Sequence, residues 1–290
     1  MPSSDPIVLR RMLALRQFPL FAGVQLDELV TLAENVTERT MVAGERLVAA
    51  STRAPTLYFI LDGGLETPTQ SWRPRDVCGI FEALADRAPP GKLISTGATR
   101  SLELPSRELS EILEDNVGVL LAVLRELASR VPIDRMVVTK TQPIIGGGAV
   151  LGLVERLILL RKVMPFTRTH LHALARLANA CEEVALTPGT IVAHDGEPAN
   201  RALVIIDGDL QIERDSSSPI LGRAATAIGL LETLSGATQR GIVRVVSATR
   251  ALVFHKETIV EMIDDHSDAG VAMLNTFSNE VLAGPPRTGQ

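Results

Sequence analysis

The chain has 290 residues, of which 46% are apolar and 22% are charged, and its formal net charge is −5. This composition is typical of a globular protein rather than a disordered one, and the length predicts about two domains. The negative charge, without a long basic run, argues against a protein that binds nucleic acid.

The start of the chain, MPSSDPIVLRR, lacks the pattern of a basic stretch followed by an apolar one, so we do not predict a signal peptide. The most apolar segment, residues 144–154, is too short to span a bilayer. We therefore expect a cytoplasmic protein that does not contact a membrane. Cys78 and Cys181 lie at non-equivalent places of the repeat described next, which favours two reduced thiols over a disulfide or metal framework.

The sequence contains an internal duplication. Residues 21–67, laid over residues 166–212 at a constant offset of 145, share twelve identical residues. At an offset of 150 the match continues, and the triplet Ala98-Thr99-Arg100 falls on Ala248-Thr249-Arg250. A unit of this length is too long for a solenoid repeat and should bury its own core. We predict two tandem domains, at 8–137 and 150–284, with a linker at 138–149 and a tail at 285–290.

Each copy begins with helical spacing of apolar residues, as in Leu26, Leu29 and Leu32. Short apolar strands separated by glycine follow, and the strands at 57–61 and 202–206 both end in an Asp-Gly turn, which is typical of a hairpin. Helical spacing returns at 106–131 and 256–282. Each domain should therefore be a β sandwich or barrel with helices at both ends.

This order of elements resembles the cyclic nucleotide-binding domain of bacterial catabolite activators and protein kinase A regulatory subunits. The motifs that carry the resemblance are VAGERLV and LYFILDGGL in the first copy, and TPGTIVAHDGE and ALVIIDGDL in the second. The resemblance implies an α+β fold class, with two tandem β jelly-roll barrels that are each flanked by N- and C-terminal helices. No inhibitor segment and no helix-turn-helix motif of the kind found in that family can be seen.

In the family, a glycine and a glutamate open a short helix, here called the cassette helix, and an arginine follows about ten residues later. The helix and the arginine hold the cyclic phosphate, and the glutamate binds the ribose hydroxyl. The first copy has Gly79 and Glu82, but the glutamate position is Ile80 and the arginine position is Pro90. We expect that this cassette is degenerate and binds no cyclic nucleotide by the family's mechanism.

The second copy keeps more of the machinery. Gly229 is present, the glutamate position is Leu230, a carboxylate follows as Glu232, and the arginine position is Arg240, next to Gly241. Gly229, Glu232, Arg240 and Gly241 are therefore the candidate ligand-binding residues.

More ordinary roles compete for these residues. Glu82 and Glu232 have the position of first-turn carboxylates that complement the helix dipole, which we favour over a ribose contact. Arg240 could bind an anion, lie solvated on the surface, or form a cross-strand pair. Arg100 and Arg250, just before a strand in both copies, are expected to fix that turn.

No pattern in the sequence supports catalysis, so we do not predict an enzyme. His170 and His172 flank Leu171 on a predicted helix and cannot face the same way, so we predict no metal site. The run Gly146-Gly147-Gly148 lacks the lysine of a phosphate-binding loop and is interpreted as linker.

We favour a non-catalytic regulatory or scaffold protein without a cofactor, which acts through protein–protein contacts. Its partner would be an unidentified protein, and the C-terminal helices could also support a homo-oligomer. The expected contact surfaces are these helices and the apolar helix at 150–160. The alternative is a sensor in which the second domain binds cAMP, cGMP or another anionic small molecule through Arg240.

Overall fold

A computed structural model of the chain describes residues 5–47, 56–87, 92–137, 150–214 and 218–283. The predicted linker at 138–149, with its glycine run, lies outside the described residues, as do Pro90 and the tail. The chain forms two compact units, residues 1–123 and 124–290. The predicted domain limits stay a prediction. No described helix has the length and apolarity needed to cross a membrane.

In the described residues the helices, in chain order, are α1 (Pro6–Leu15), α2 (Val30–Asn35), α3 (Ile80–Leu84), α4 (Ser106–Asp115), α5 (Val117–Arg130), α6 (Leu153–Leu160), α7 (Leu171–Ala180), α8 (Leu230–Ser235), α9 (Lys256–Asp265) and α10 (Ser267–Leu282). Short 3-10 helices lie at Pro19–Phe21, Asp27–Leu29, Ile133–Met136 and Phe166–Arg168. The predicted stretches at 106–131 and 256–282 are each two helices, and the helix predicted from residue 150 begins at Leu153.

The strands β1 to β8 are Thr37–Met41, Arg46–Leu47, Thr56–Asp62, Leu65–Glu66, Ser71–Trp72, Val77–Cys78, Leu93–Ser95 and Thr99–Pro105. The strands β9 to β16 are Glu182–Leu186, Ile191–Ala193, Arg201–Asp207, Leu210–Glu213, Ile220–Gly222, Ala227–Ile228, Ile242–Val245 and Thr249–His255.

Both units have the same strand topology. In the first, the sheets have the orders β1-β8-β3-β6 and β2-β7-β4-β5. In the second, the orders are β9-β16-β11-β14 and β10-β15-β12-β13, which repeat the first set with every number raised by eight. All described pairings are antiparallel. This is the two-sheet jelly-roll arrangement, so the α+β prediction is confirmed, with two packed sheets in place of a closed barrel among the described strands.

The hairpin after β3 shows why the duplication keeps its glycines. Gly63 has φ +77°, and a Cβ there would lie 2.4 Å from the carbonyl oxygen of Ala98. In the second unit Gly208 has φ +89° and meets the carbonyl oxygen of Ala248 at the same distance. A positive φ and a backbone contact this close both require glycine, so the shared Asp-Gly turn fixes how β3 and β11 leave their sheets.

The strand predicted to be fully buried at 57–61 is covered on both faces. Tyr58 and Ile60 face the other sheet, in a cluster with Met41, Leu65 and Trp72. Phe59, on the opposite face, packs edge-on against Phe18 with ring centroids 5.5 Å apart. Alternate residues of one strand therefore serve the inter-sheet core and the helical layer.

Candidate functional site

The cassette helices α3 and α8 both begin at a glycine in the left-handed region. Gly79 has φ +87° and Gly229 has φ +76°. A Cβ on Gly79 would lie 2.8 Å from the Thr56 carbonyl oxygen, and one on Gly229 would lie 3.0 Å from that of Arg201. The glycine shared by both cassettes is therefore required by the approach of the helix to the first residue of β3 or β11, independently of any ligand.

The residues that replace the family's glutamate are part of the core. Ile80 is 7% exposed and Leu230 is 2% exposed. Both are the first residue of their helix. The position from which the family reaches a ribose is thus hydrocarbon in both units.

Glu82 and Glu232 lie in the first turn of α3 and α8, as the sequence predicts. Both side chains are nevertheless buried, and the exposed fractions of the two residues are 7% and 1%. A carboxylate that only complemented a helix dipole would stay in water, because burial of an unpaired charge is costly. Glu232 therefore needs a partner.

That partner is Arg240. Its Nε donates to Glu232 Oε1 at 2.8 Å, and the exposed fractions of the two side chains are 39% and 2%. Of the three roles considered for Arg240, the structure shows pairing, with the acid on the adjacent cassette helix rather than across strands. In the first unit Glu82 forms no ion pair with any described residue, and Pro90 lies outside the described part of the chain.

The backbone next to Arg240 is also engaged. Gly241 has φ +106°, and its N–H donates to Asp195 Oδ1 at 2.6 Å. A Cβ on Gly241 would lie 2.5 Å from the Glu213 carbonyl oxygen. The Gly241 N–H is therefore already bound to a carboxylate and is not free to bind an anionic ligand.

The space over the second cassette is almost filled. It is bounded by the cassette residues Gly229 to Glu232, by Ile212, and by Ile133, Met136 and Val137 from a segment that precedes α6. The volume that remains is about 10 Å³, which is room for one water molecule at most. This segment could not be predicted from the sequence, because a four-residue 3-10 turn has no measurable periodicity.

A larger cavity of about 500 Å³ is lined by Gly229 and Gln239, which also line the space over the cassette, and by residues at the start of β11 and the end of β16. Its apolar wall includes Val192, Leu203 and Val243. Gln239 is 6% exposed, and its Nε2 has no hydrogen-bond partner among the described residues.

Arg100 and Arg250 lie inside β8 and β16, not before them, which corrects the prediction. Arg100 pairs with Asp62 at 3.1 Å on the surface, across the β3–β8 ladder. Arg250 makes a more buried pair with Glu183, 2.5 Å away, which also accepts the Leu151 N–H. Burial pushes the pKa of Glu183 upward, but the hydrogen bonds from Arg250 and Leu151 outweigh it and hold this pKa below the usual value. Both arginines are structural.

The cysteines have no reactive environment. Cys78 and Cys181 are free and buried, and burial is the main cause that raises the pKa of each thiol. Within the described ranges, no group of three or more His, Cys, Asp or Glu side chains is placed to hold a metal ion.

Comparisons with known proteins gave structural neighbours only. No family model matches the chain, and no curated protein matches it. The regulatory domain of Toxoplasma gondii PKA, solved with cAMP, is 14% identical, with a TM-score of 0.35 and coverage of 92% of this chain and 99% of that one. The regulatory subunit of a cAMP-independent protein kinase A from Trypanosoma brucei is 14% identical, with a TM-score of 0.34 and coverage of 92% and 90%.

The N-terminal domain of a transcriptional regulator from Streptomyces coelicolor A3(2) is 17% identical, with a TM-score of 0.41, and covers 46% of this chain and 98% of its own. At these identities the likeness concerns the fold, so we base the functional proposal on the chain's own residues.

Proposed function

We propose that the chain is a non-catalytic regulatory or scaffold protein whose second cassette is held closed by an internal ion pair and does not bind a cyclic nucleotide. The observation that carries the proposal is the pair between Glu232 and Arg240, at 2.8 Å, with the carboxylate 2% exposed. A cyclic phosphate that bound the Nε side of this guanidinium would displace Glu232 and leave a buried carboxylate without a partner. That exchange costs several kcal/mol.

The remaining ligand contacts of the family are also missing from this cassette. Leu230 provides no acceptor for a ribose hydroxyl, and the Gly241 N–H is bound to Asp195. An anion that entered this cassette would meet two carboxylates, those of Glu232 and Asp195, and one guanidinium, that of Arg240. The local charge therefore favours exclusion of a phosphate over its capture.

Contacts with a protein partner are the proposed output. Four apolar side chains at and before α6 are exposed, in fractions between 43% and 75%: Val150, Leu153, Val154 and Ile158. The same helix buries Leu159 and Leu160. By contrast α10 buries most of its apolar residues. Of the surfaces predicted from sequence, the α6 face is the one with apolar area available.

The sensor alternative keeps one specific observation in its favour. The side chain of Arg240 is 39% exposed, so a solvent-facing part of its guanidinium could still attract an anionic small molecule to the second unit. This alternative and the proposal make opposite predictions for the binding of cAMP or cGMP.

Calorimetry with cAMP and cGMP on the full chain separates them. We expect no heat of binding at ligand concentrations up to the millimolar range. Heat that is lost in Arg240→Ala but kept in Arg244→Ala would overturn the proposal and establish the sensor. Arg244, in strand β15, is a matched control, because its side chain is about as exposed as that of Arg240 and its guanidinium pairs with Glu213 at 3.0 Å.

A further inference from the structure

The segment Ile133–Met136, here called the plug, is seated on the cassette of the second unit. It lies within residues 124–290, which form that unit. Ile133 is 6% exposed and Met136 is 4% exposed. Both line the residual space of about 10 Å³ above the cassette, opposite Leu230 and Leu231. A 3-10 turn places residues i and i+3 on one side, so Ile133 and Met136 point to the same place.

The other side of the plug is polar and faces away from the cassette. Asp134 is exposed. Arg135 Nη1 lies 3.6 Å from Glu280 Oε2 on α10, and about a fifth of each of these side chains is exposed. Ile133 and Met136 thus line the space over the cassette, while Arg135 is paired with the unit's last helix.

The side chains of the cassette that line this space are largely aliphatic, as are those of the plug. In both cassettes the position of the family's ribose acid is aliphatic, and in the second unit Leu230, Leu231 and Ile212 line the space opposite the plug. These aliphatic side chains offer no partner to a charged sugar phosphate, whose burial without partners is costly, and the Glu232 carboxylate that also lines the space has the same sign of charge. The same aliphatic side chains favour methyl and thioether groups, which gain by leaving water.

We propose that the second cassette is a binding site for a short apolar peptide segment, and that the chain's own plug occupies it in cis. The inference rests on the proposed function in one respect, namely that no cyclic nucleotide takes the site. A covalently attached segment has an effective concentration on the order of millimolar, so any external ligand must first compete with it. Release of the plug would expose Leu230 and Leu231 to a partner.

Thiol labelling of the full chain tests the seating of the plug. Met136→Cys places a thiol in the cavity, and Asp134→Cys, two residues away, is the exposed control. We expect the thiol at 136 to react with an aromatic disulfide reagent at least about tenfold more slowly than the one at 134, because the reaction requires local opening. The unaltered chain, with Cys78 and Cys181 buried, gives the background rate. Equal rates would overturn the proposal.

A second substitution tests whether contact with the cassette is what protects the thiol at position 136. Adding Ile133→Asp to Met136→Cys puts a carboxylate against Leu230 and should raise the labelling rate at 136 toward that at 134. Leu153→Asp, on an exposed position of α6, should leave the rate unchanged. If Ile133→Asp has no effect while the circular dichroism stays native, the plug is not held by this cavity.

Nuclear magnetic resonance of the unaltered chain gives an independent test. With methyl-labelled methionine, leucine and isoleucine, the Met136 methyl, assigned through Met136→Leu, should show contacts to methyl groups of Leu230 or Leu231. A sharp methyl resonance without these contacts would refute the seating. A cyclic nucleotide that bound through Arg240 would end the proposed function and the premise that the site is left to the plug, whereas a Met136 methyl without these contacts and without nucleotide binding would refute the seating alone.

Discussion

The pair of Glu232 and Arg240 is asymmetric, because the acid is 2% exposed and the guanidinium is 39% exposed. Removing the arginine leaves a buried charge, whereas removing the acid leaves a charge that water can still reach. We expect Arg240→Ala to lower the free energy of unfolding by about 2 kcal/mol or more and Glu232→Gln to cost less. Urea denaturation at neutral pH measures both.

Arg244→Ala is the control. The pair of Arg244 with Glu213 is about one-third exposed on both sides, so its loss should lower the free energy of unfolding by less than about 1 kcal/mol. Equal losses in the two arginine variants would contradict this account.

Glu183 links the stability of the second unit to pH. Its pKa is held below the usual 4.5 in the folded state, since the hydrogen bonds from Arg250 and Leu151 outweigh the opposing effect of burial. A carboxyl whose pKa is lowered by folding contributes stability above its unfolded pKa and loses it as pH falls through the folded value. The contribution should therefore be complete above about pH 4.5 and decline below it.

Thermal melts of the native chain and Glu183→Gln between pH 6 and pH 3 check this. The variant should be less stable at pH 6, and the difference between the two proteins should shrink as the pH falls. Asp62→Asn, which alters the exposed pair with Arg100, should change the curve little. A difference that grows toward acid pH would show that the sign is wrong.

At the scale of elements, the start of each cassette helix is determined by backbone geometry. Two constraints can require glycine, namely a positive φ and a close approach of other atoms to the Cβ position. Three glycines of the first unit differ in which of these constraints they have: Gly44, Gly79 and Gly97. Gly44 has φ +74° with no atom within 4 Å of a Cβ, Gly79 has both φ +87° and a carbonyl oxygen at 2.8 Å, and Gly97 has neither constraint.

Replacement of each by alanine should give a graded series. We expect Gly97→Ala to be nearly neutral, Gly44→Ala to cost about 1 kcal/mol, and Gly79→Ala to cost more, because β3 must also move. The midpoints of urea denaturation give the order. If Gly79→Ala were no worse than Gly44→Ala, the close approach to Thr56 would not matter to α3.

The sequence predicted what depends on local pattern. The duplication, the buried strand at 57–61 and the paired turns at Gly63 and Gly208 follow from spacing and from positive φ, and the structure has them. The direction of Glu232 could not be predicted, because in a helix of six residues the inward face is decided by packing against β11. The plug was missed for a similar reason, since its two buried residues acquire meaning only from a cavity formed by residues about ninety positions later.

At the scale of the whole molecule, one topology appears twice, but the two cassettes differ in their charge balance. The first keeps a buried acid, Glu82, but has Pro90 at the position that corresponds to Arg240. The second keeps both members of the pair and adds the plug. Duplication followed by divergence of the sites explains this pattern, because each unit has its own core and can lose a ligand contact without losing its fold. We infer that the shared glycines were retained for the chain path.

The limits of the second unit provide the last test. Ile133 and Met136 belong to that unit, although the sequence assigns residues up to 137 to the first domain. A fragment of residues 124–290 should therefore melt at a higher temperature than a fragment of residues 150–290, since burying two large apolar side chains contributes about 3 kcal/mol or more. Ile133→Asp in the longer fragment should remove most of the difference, whereas Asp134→Ala, at the exposed position of the same turn, should keep it. Identical melting temperatures for both fragments would mean that residues 124–149 contribute nothing to the second unit, and the boundary predicted from sequence would then stand.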